Sequence, residues 1–344
     1  MKFDYDDIAL VPAETSKIKS RYTSIELKTK EPYNRLMTAP MDTVCNSGKS
    51  VERFKNRHIR VVLPRYSMFK KSLRHFYYVT YSITLQSLKE RINFGKITPK
   101  NYYQIIDKIC LDMANGHLEH AIPLIKKFKL TFPDKKLIVG NIGNPQTYRI
   151  LAKTGVDAIR VGIGAGSGCL TSEQTSIYYP MASLVKECYD VKKELDHAPK
   201  IIADGGIRKY ADIIKALNLG ADYVMIGGLF NKMVESSPRS YLFRWIPISE
   251  GLSKKIYKTF PVYKKFRGMS TKEVQLQHGK QNIRTSEGIR KYNRVRYDLD
   301  SWLDNFNHYL RSAMSYSDSK DLEDFIGKQN YIRISNKAYK RFSK

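Results

Sequence analysis

Short apolar runs alternate with helical stretches through the middle of the chain. Residues 109–113, 137–140, 158–161, 201–203 and 223–226 are compact apolar runs of strand length. Between them, residues 117–132, 145–153, 179–195 and 209–219 carry apolar side chains at helical spacing. Strands separated by helices of about 10–15 residues imply βαβ units and a parallel sheet. Upstream, residues 36–38, 59–63 and 77–80 supply three further strands, so the pattern reaches eight. Eight such units predict an α/β fold of the (β/α)8 TIM-barrel type, a single domain spanning 1–344. After Pro238 the rhythm breaks. Residues 239–300 are basic, aromatic and weakly periodic, which predicts an irregular, mobile flap after the eighth strand. A helix over 299–314 resumes the pattern and closes the barrel.

Charge adds one feature. Lys and Arg number 60 against 33 Asp and Glu, a net +27 spread along the chain without a tail of like charges. Such an excess fits a solvated basic surface or attraction to phosphorylated molecules, and nucleic acid is the less favoured partner. No apolar run approaches the roughly 18 residues of a membrane helix, and the N-terminus carries early carboxylates in place of a signal's apolar stretch. The four cysteines, Cys45, Cys110, Cys169 and Cys188, form no C-x-x-C pair. A cytoplasmic, reducing setting without a membrane is the expectation.

The chemistry-bearing residues follow strand ends. Gly162-Ile163-Gly164-Ala165-Gly166-Ser167-Gly168 follows the sixth strand, Asp204-Gly205-Gly206 the seventh and Gly227-Gly228 the eighth. In barrels the site lies at the C-terminal ends of the strands, and phosphate commonly binds the loops after strands seven and eight. One glycine cluster is explained by a tight turn; three at these ends point to a phosphate site. Asp204 is either a helix cap or an acceptor for a ribose diol. Cys169, at the end of the longest glycine loop, is placed for nucleophilic attack, with the Thr171 hydroxyl two residues on. Cys45 also follows a strand end and is the rival nucleophile, whereas Cys110 and Cys188 read as small core residues.

At these residues the sequence resembles the IMP dehydrogenase/GMP reductase family, over nearly the whole chain. The matching stretches are Asp6-Asp7-Ile8-Ala9-Leu10-Val11-Pro12, Ala39-Pro40-Met41-Asp42-Thr43, Asp112-Met113-Ala114-Asn115-Gly116-His117 and Val139-Gly140-Asn141. They continue with Arg160 through Cys169, Ile202 through Ile207, Met225-Ile226-Gly227-Gly228 and Arg267-Gly268-Met269-Ser270. The chain lacks the paired CBS regulatory modules of most dehydrogenases. Glu119-His120, Arg284-Thr285-Ser286-Glu287-Gly288 and Ile332-Arg333-Ile334-Ser335 resemble the reductase branch.

The resemblance implies NADPH-dependent reductive deamination of GMP to IMP through a covalent cysteine–purine C2 adduct, a thioimidate. The alternatives are an IMP dehydrogenase without CBS modules, with Arg290 to Arg296 as a basic flap, or a nucleotide- or nucleic-acid-binding barrel of weakened catalysis. Carried over, Cys169, Thr171 and Glu287 are catalytic. Asp204, Gly205, Gly206, Gly227, Gly228, Gly268, Met269, Ser270, Arg284, Thr285, Ser286 and Gly288 bind the purine nucleoside monophosphate. Ser20, Arg21, Asp112, Met113, Ala114, Ile163, Gly164, Ser312, Ala313, Met314 and Ser315 face the dinucleotide. Carbonyls of Gly164, Gly166 and Cys169 form a K+ site, and the assembly is a homotetramer. The sequence departs from the family at Ala165, where proline is usual, at Leu170, at Ser172, where a basic residue is common, and at Tyr81-Ser82-Ile83.

Overall fold

The computed structural model describes residues 1–27, 34–65, 79–93, 107–277, 285 and 288–342. Eight short strands lie where the apolar runs place them: β1 (Leu36–Thr38), β2 (Val61–Leu63), β3 (Val79–Ile83), β4 (Lys108–Asp112), β5 (Lys136–Ile142), β6 (Ala158–Val161), β7 (Lys200–Asp204) and β8 (Tyr223–Ile226). The third was expected from 77, but Tyr77 and Tyr78 lie outside the described residues. All neighbours pair in parallel, in the order β1-β8-β7-β6-β5-β4-β3-β2. A parallel bridge between Met37 and Arg60 joins the two ends, with Thr38 N–H donating to Arg60 O at 2.9 Å. The sheet is therefore a (β/α)8 barrel.

Alternation along each strand sorts two cores. Met37, Val62, Cys110, Ile138, Ala158, Ile202, Tyr223 and Met225 pack together inside the barrel. Residues of the other parity, such as Leu36, Val61, Leu111, Val139, Ile159, Ile201 and Val224, meet the helices outside. The helices start on local chemistry. Asn144 caps Pro145–Ala152 by accepting the Gln146 N–H at 2.8 Å, with proline at the first turn. Asp298 caps Leu299–Tyr316 by accepting the Ser301 N–H at 2.8 Å.

The segment after β8 corrects the expectation of an irregular flap. Strands β9 (Ser240–Leu242), β10 (Ile246–Ile248), β11 (Val262–Arg267) and β12 (Arg290–Arg294) form an antiparallel sheet in the order β10-β9-β11-β12. Two short helices, Glu250–Ile256 and Lys272–Gln277, complete it. Its periodicity was hidden because charged residues occupy buried positions. On β11 the side chains of Val262, Lys264 and Phe266 are buried and alternate with Tyr263 and Lys265. Lys264 Nζ donates to the carbonyls of Val234 at 2.6 Å and Ser236 at 2.5 Å, tying the sheet to the chain leaving β8. Asn231, fully buried, donates to Thr43 O at 2.6 Å and Lys265 O at 3.0 Å, and accepts from Asn293 Nδ2 at 2.8 Å. Val234, Ile248, Tyr257, Val262 and Val295 form a small core beneath.

Burial pushes the Lys264 ammonium down to about 7. A lysine depressed when folded and ordinary when unfolded makes the unfolded chain bind more protons between those two values, so stability rises with pH there. Wild-type thermal stability, compared with Lys264→Met, is expected to improve from pH 7 towards pH 10. A difference between the two proteins that is flat across that window, by calorimetry, would show that Lys264 is not a desolvated cation.

Candidate active site

The C-terminal ends of the barrel strands meet around Arg160, a guanidinium inside β6. Its Nη1 donates to Asp112 Oδ1 at 2.7 Å, and its Nη2 and Nε donate to Asp204 Oδ2 at 2.7 and 3.2 Å. Gly140 on β5 leaves the room: a Cβ there would lie 2.5 Å from that of Arg160. Asn141 Nδ2 adds a bond to the same Asp204 oxygen at 2.7 Å and another to Gly162 O at 2.9 Å. Arg65 Nε reaches Asp112 Oδ2 at 3.1 Å. Burial opposes the Arg160 charge, but Asp204, Cys110 and Asp112 outweigh it and hold its pKa well above the ordinary value. Asp204 is thus fixed through Oδ2. The sequence reading missed Arg160, Asn141 and Arg65 as site residues. A charged residue in the middle of an otherwise apolar strand was the available signal.

The loop from Gly162 to Cys169 runs across this mouth. The Cys169 thiol is 3.1 Å from Thr171 Oγ1, and Thr171 N–H points at the sulfur at 3.5 Å. Cys169 is half-buried, while Cys45, Cys110 and Cys188 are buried. Desolvation raises the Cys45 thiol to about 12 and Cys110 to about 11, so neither supplies a thiolate near neutrality. Cys45 is moreover fully buried, which speaks against it as the rival nucleophile.

The flap sheet holds the loop from above. Cys169 forms an antiparallel bridge with Gly288, Ile289 N–H donates to Gly168 O at 3.1 Å, and Gly268 N–H to Ile289 O at 3.0 Å. The backbones touch: a Cβ on Gly268 would lie 2.3 Å from Gly168 O. Arg267 then bolts the flap to the loop after β1 through Asp42, and pairs with Glu273 at 2.6 Å. Gly268 and Gly288 therefore come beside Cys169, Met269 and Ser270 follow Gly268 in the chain, and Gln275 Nε2 donates to Ser270 O and Thr285 O, each at 3.0 Å. Arg284, Ser286 and Glu287 lie outside the described residues.

At the glycine cradle the expected groups also converge. Ser167 Oγ sits over Gly228, 2.6 Å from where a Cβ would be. Gly227 lies beside Met41. The Gly206 amide is already committed to Ala165 O at 2.9 Å, so it holds the loop and does not point at a ligand. The cation cage fits poorly. Gly164 O accepts from Ser172 Oγ at 2.9 Å and Gly166 O from Cys169 N–H at 2.9 Å, so the loop satisfies two of the three carbonyls itself. Ser172, where the sequence departs from the family, makes the first of these bonds.

The dinucleotide set divides. Asp112, Met113, Ala114, Ile163 and Gly164 are at the mouth. Ser20, Arg21, Ser312, Ala313, Met314 and Ser315 cluster elsewhere: Arg311 Nη1 donates to Arg21 O at 3.3 Å and Ser16 Oγ to Ser315 O at 2.9 Å. Helix Leu299–Tyr316 begins at the mouth side, where Leu299 N–H donates to Glu235 at 3.0 Å. It ends near Glu323, which pairs with Arg35 just before β1. At about 1.5 Å per residue, Ser312 lies roughly 20 Å down the helix, towards the other end of the barrel. One chain does not unite the two halves.

Among the described residues no helix is long and apolar enough to cross a membrane, and no group of three or more His, Cys, Asp and Glu side chains is arranged to hold a metal.

Comparisons with known proteins agree with this geometry. The model of the IMP dehydrogenase / GMP reductase domain matches residues 77–342. GMP reductase 1 of Mus musculus is 28% identical, covering 97% of this chain and 96% of the relative. GMP reductase 2 of Homo sapiens is 29% identical across 100% and 97%. GMP reductase of Buchnera aphidicola subsp. Schizaphis graminum is 30% identical across 87% and 83%.

Replacing Arg160 by methionine removes the cation that Asp112 and Asp204 share, leaving Asp112 only Arg65 and Asp204 only the Asn141 amide in a half-buried mouth. Breaking one partner of a buried pair typically costs about 3–5 kcal/mol. Arg160→Met is expected to lower the denaturant midpoint steeply, and Arg160→Met with Asp112→Asn and Asp204→Asn to recover part of it. Equal midpoints for wild type and the single variant would show that the clamp is not structural.

Proposed function

This chain belongs to the IMP dehydrogenase/GMP reductase family, and we propose that within it the chain is an NADPH-dependent reductase that converts GMP to IMP and ammonia. It is an oxidoreductase, and its full-length relatives bear the name GMP reductase. One observation carries the reading: of four thiols only Cys169 is away from the core, and it lies against the Thr171 hydroxyl at the barrel mouth.

The nucleotide phosphate rests in the cradle of Ser167, Gly227 and Gly228, and Asp204 Oδ1 accepts from the ribose diol. The purine then faces Cys169 under Gly268, Met269 and Ser270. The Cys169 thiolate adds to C2, the C2–N bond to the exocyclic amine breaks, and the amine leaves as ammonia after gaining a proton. Thr171, relayed by Glu287, delivers that proton, because a neutral amine is a better leaving group than an amide anion. NADPH, when bound beside Asp112, Met113, Ala114 and Gly164, supplies a hydride to C2. The C2–S bond then breaks, releasing IMP and restoring the thiolate. No step requires a cation at Gly164, in keeping with its bond to Ser172. Ser20, Arg21 and Ser312 to Ser315 of a neighbouring copy in a homotetramer would hold the adenosine end of the dinucleotide, since one chain keeps these groups at its far end. A reducing, cytoplasmic setting suits a free nucleophilic thiol.

The dehydrogenase alternative needs Arg290 to Arg296 as a mobile flap, but Arg290–Arg294 is paired along its length with β11. Mixing the protein with GMP and NADPH and following nicotinamide absorbance tests the reading. Loss of absorbance with formation of IMP is expected. Reduction of NAD with IMP, and no reaction with GMP, would identify a dehydrogenase.

Cys169→Ala is expected to lose turnover by at least three orders of magnitude while GMP affinity changes little, because phosphate and ribose are held by other loops. Normal turnover of Cys169→Ala would remove the covalent route. Glu287→Gln is expected to slow GMP deamination by about two to four orders of magnitude, the range for general acid catalysis. Its hydride transfer from IMP to NADP should fall far less, since no amine departs in that direction. Equal losses in both would mean that Glu287 is a loop support only.

A further inference from the structure

The phosphate cradle is bordered by cations that the proposed chemistry does not use. Lys291, on β12, pairs across the sheet with Phe266. Its ammonium lies 5.5 Å from the Phe266 ring centroid and 3.3 Å from Ser167 O, above the serine that covers Gly228. Lys232 ends the short helix Gly228–Asn231, one turn from the same glycine. Arg296 N–H donates to Lys232 O at 2.9 Å, and the Arg296 charge is close enough to repel the Lys232 ammonium.

Nearby carboxylates are engaged elsewhere. Asp42 and Glu273 hold Arg267, Glu273 also holds Lys265 at 2.7 Å, and Glu235 accepts from Leu299. Among the described residues no carboxylate forms an ion pair with Lys232, Lys291 or Arg296. Burial, then repulsion from Arg296 and Lys291, lowers the Lys232 pKa. Other cations around the mouth, such as Arg160 and Arg267, are matched by acids. A group of three cations without acidic partners beside a phosphate cradle leaves a positive potential that favours a bound anion.

We propose that Lys232, Lys291 and Arg296 form a second phosphate subsite next to the Ser167–Gly228 cradle, for a further phosphate group on the nucleotide or a free phosphate ion. The inference rests on the cradle holding a nucleotide phosphate, as in the functional reading. A monophosphate carries about two negative charges at neutral pH, as phosphorylated side chains do. A second phosphate beside it gives the three cations a full complement. The ligand class is a guanine nucleoside diphosphate, or guanosine monophosphate together with inorganic phosphate.

Calorimetric titration of the wild-type protein and of Lys232→Met/Lys291→Met tests this with three probes: GMP, GDP, and inorganic phosphate added to GMP-saturated protein. A subsite for a linked phosphate makes GDP bind about tenfold more tightly than GMP, the worth of a charge-assisted contact. A subsite for the free ion makes phosphate bind the GMP complex with no GDP advantage. In either case the effect shrinks at high salt and vanishes in the double variant. Should Lys232, which is half-buried, not tolerate change, Lys291→Met/Arg296→Gln alters exposed side chains and reads the same loss. Wild-type protein that binds GMP but shows neither effect overturns the subsite alone, and so does an effect that survives both variants. Protein that neither binds nor reduces GMP overturns the functional reading and the subsite with it.

Discussion

The mouth of this barrel is organised by one buried guanidinium. Arg160 stands between Asp112 on β4 and Asp204 on β7 and binds both. Without it, two carboxylates would face each other across a half-buried opening, and like charges so placed repel. With it, each carboxylate has a fixed cationic partner and keeps one defined orientation. Asp112 is held further by Arg65, and Asp204 by Asn141. Asn141 completes the link by tying Asp204 to the backbone of the cysteine loop at Gly162. The positions of the loop, the proposed ribose acceptor and the proposed nucleophile thus follow from a single charge placed where a barrel strand ordinarily carries an apolar side chain.

The flap obeys the same logic with cations in buried positions. Lys264 and Arg267 sit on β11 where a sheet normally buries hydrocarbon. Each is satisfied by a fixed partner: backbone carbonyls for Lys264, Asp42 and Glu273 for Arg267. Such contacts are directional in a way that apolar packing is not. They fix the register of the flap over the barrel, so that Gly268 and Gly288 meet the loop at Gly168 and Cys169 with no space between backbones. The cost is desolvation, visible in the depressed Lys264. The flap is consequently a charge-locked sheet on the mouth.

Charge in this protein therefore falls into distinct roles. Some cations are structural and matched, as in Arg160, Arg267 and the pair Lys192–Asp222 at 2.6 Å. Lys232, Lys291 and Arg296 are unmatched and concentrated at the cradle. A net charge of +27 is a sum that cannot tell these apart.

Period and position in the sequence determined the barrel. Short apolar strands and amphipathic helices are local patterns, and eight of them in alternation have few ways to bury their faces. The glycine clusters after strands six, seven and eight, with the half-buried Cys169 among them, were legible for the same reason, since strand ends are set by the pattern. Tertiary structure decided what depends on partners distant in the chain. It matched Arg160 with Asp112 and Asp204, and Lys264 with Val234 and Ser236. It gave the Gly164 carbonyl to Ser172 and the Gly206 amide to Ala165. It built a sheet from β9 to β12, where buried charges mask the two-residue period. It also put Ser312 to Ser315 at the far end of a long helix from Cys169, because a helix following a barrel strand runs back along the barrel. A polar residue in sequence shows only that it needs a partner; the fold alone supplies which one.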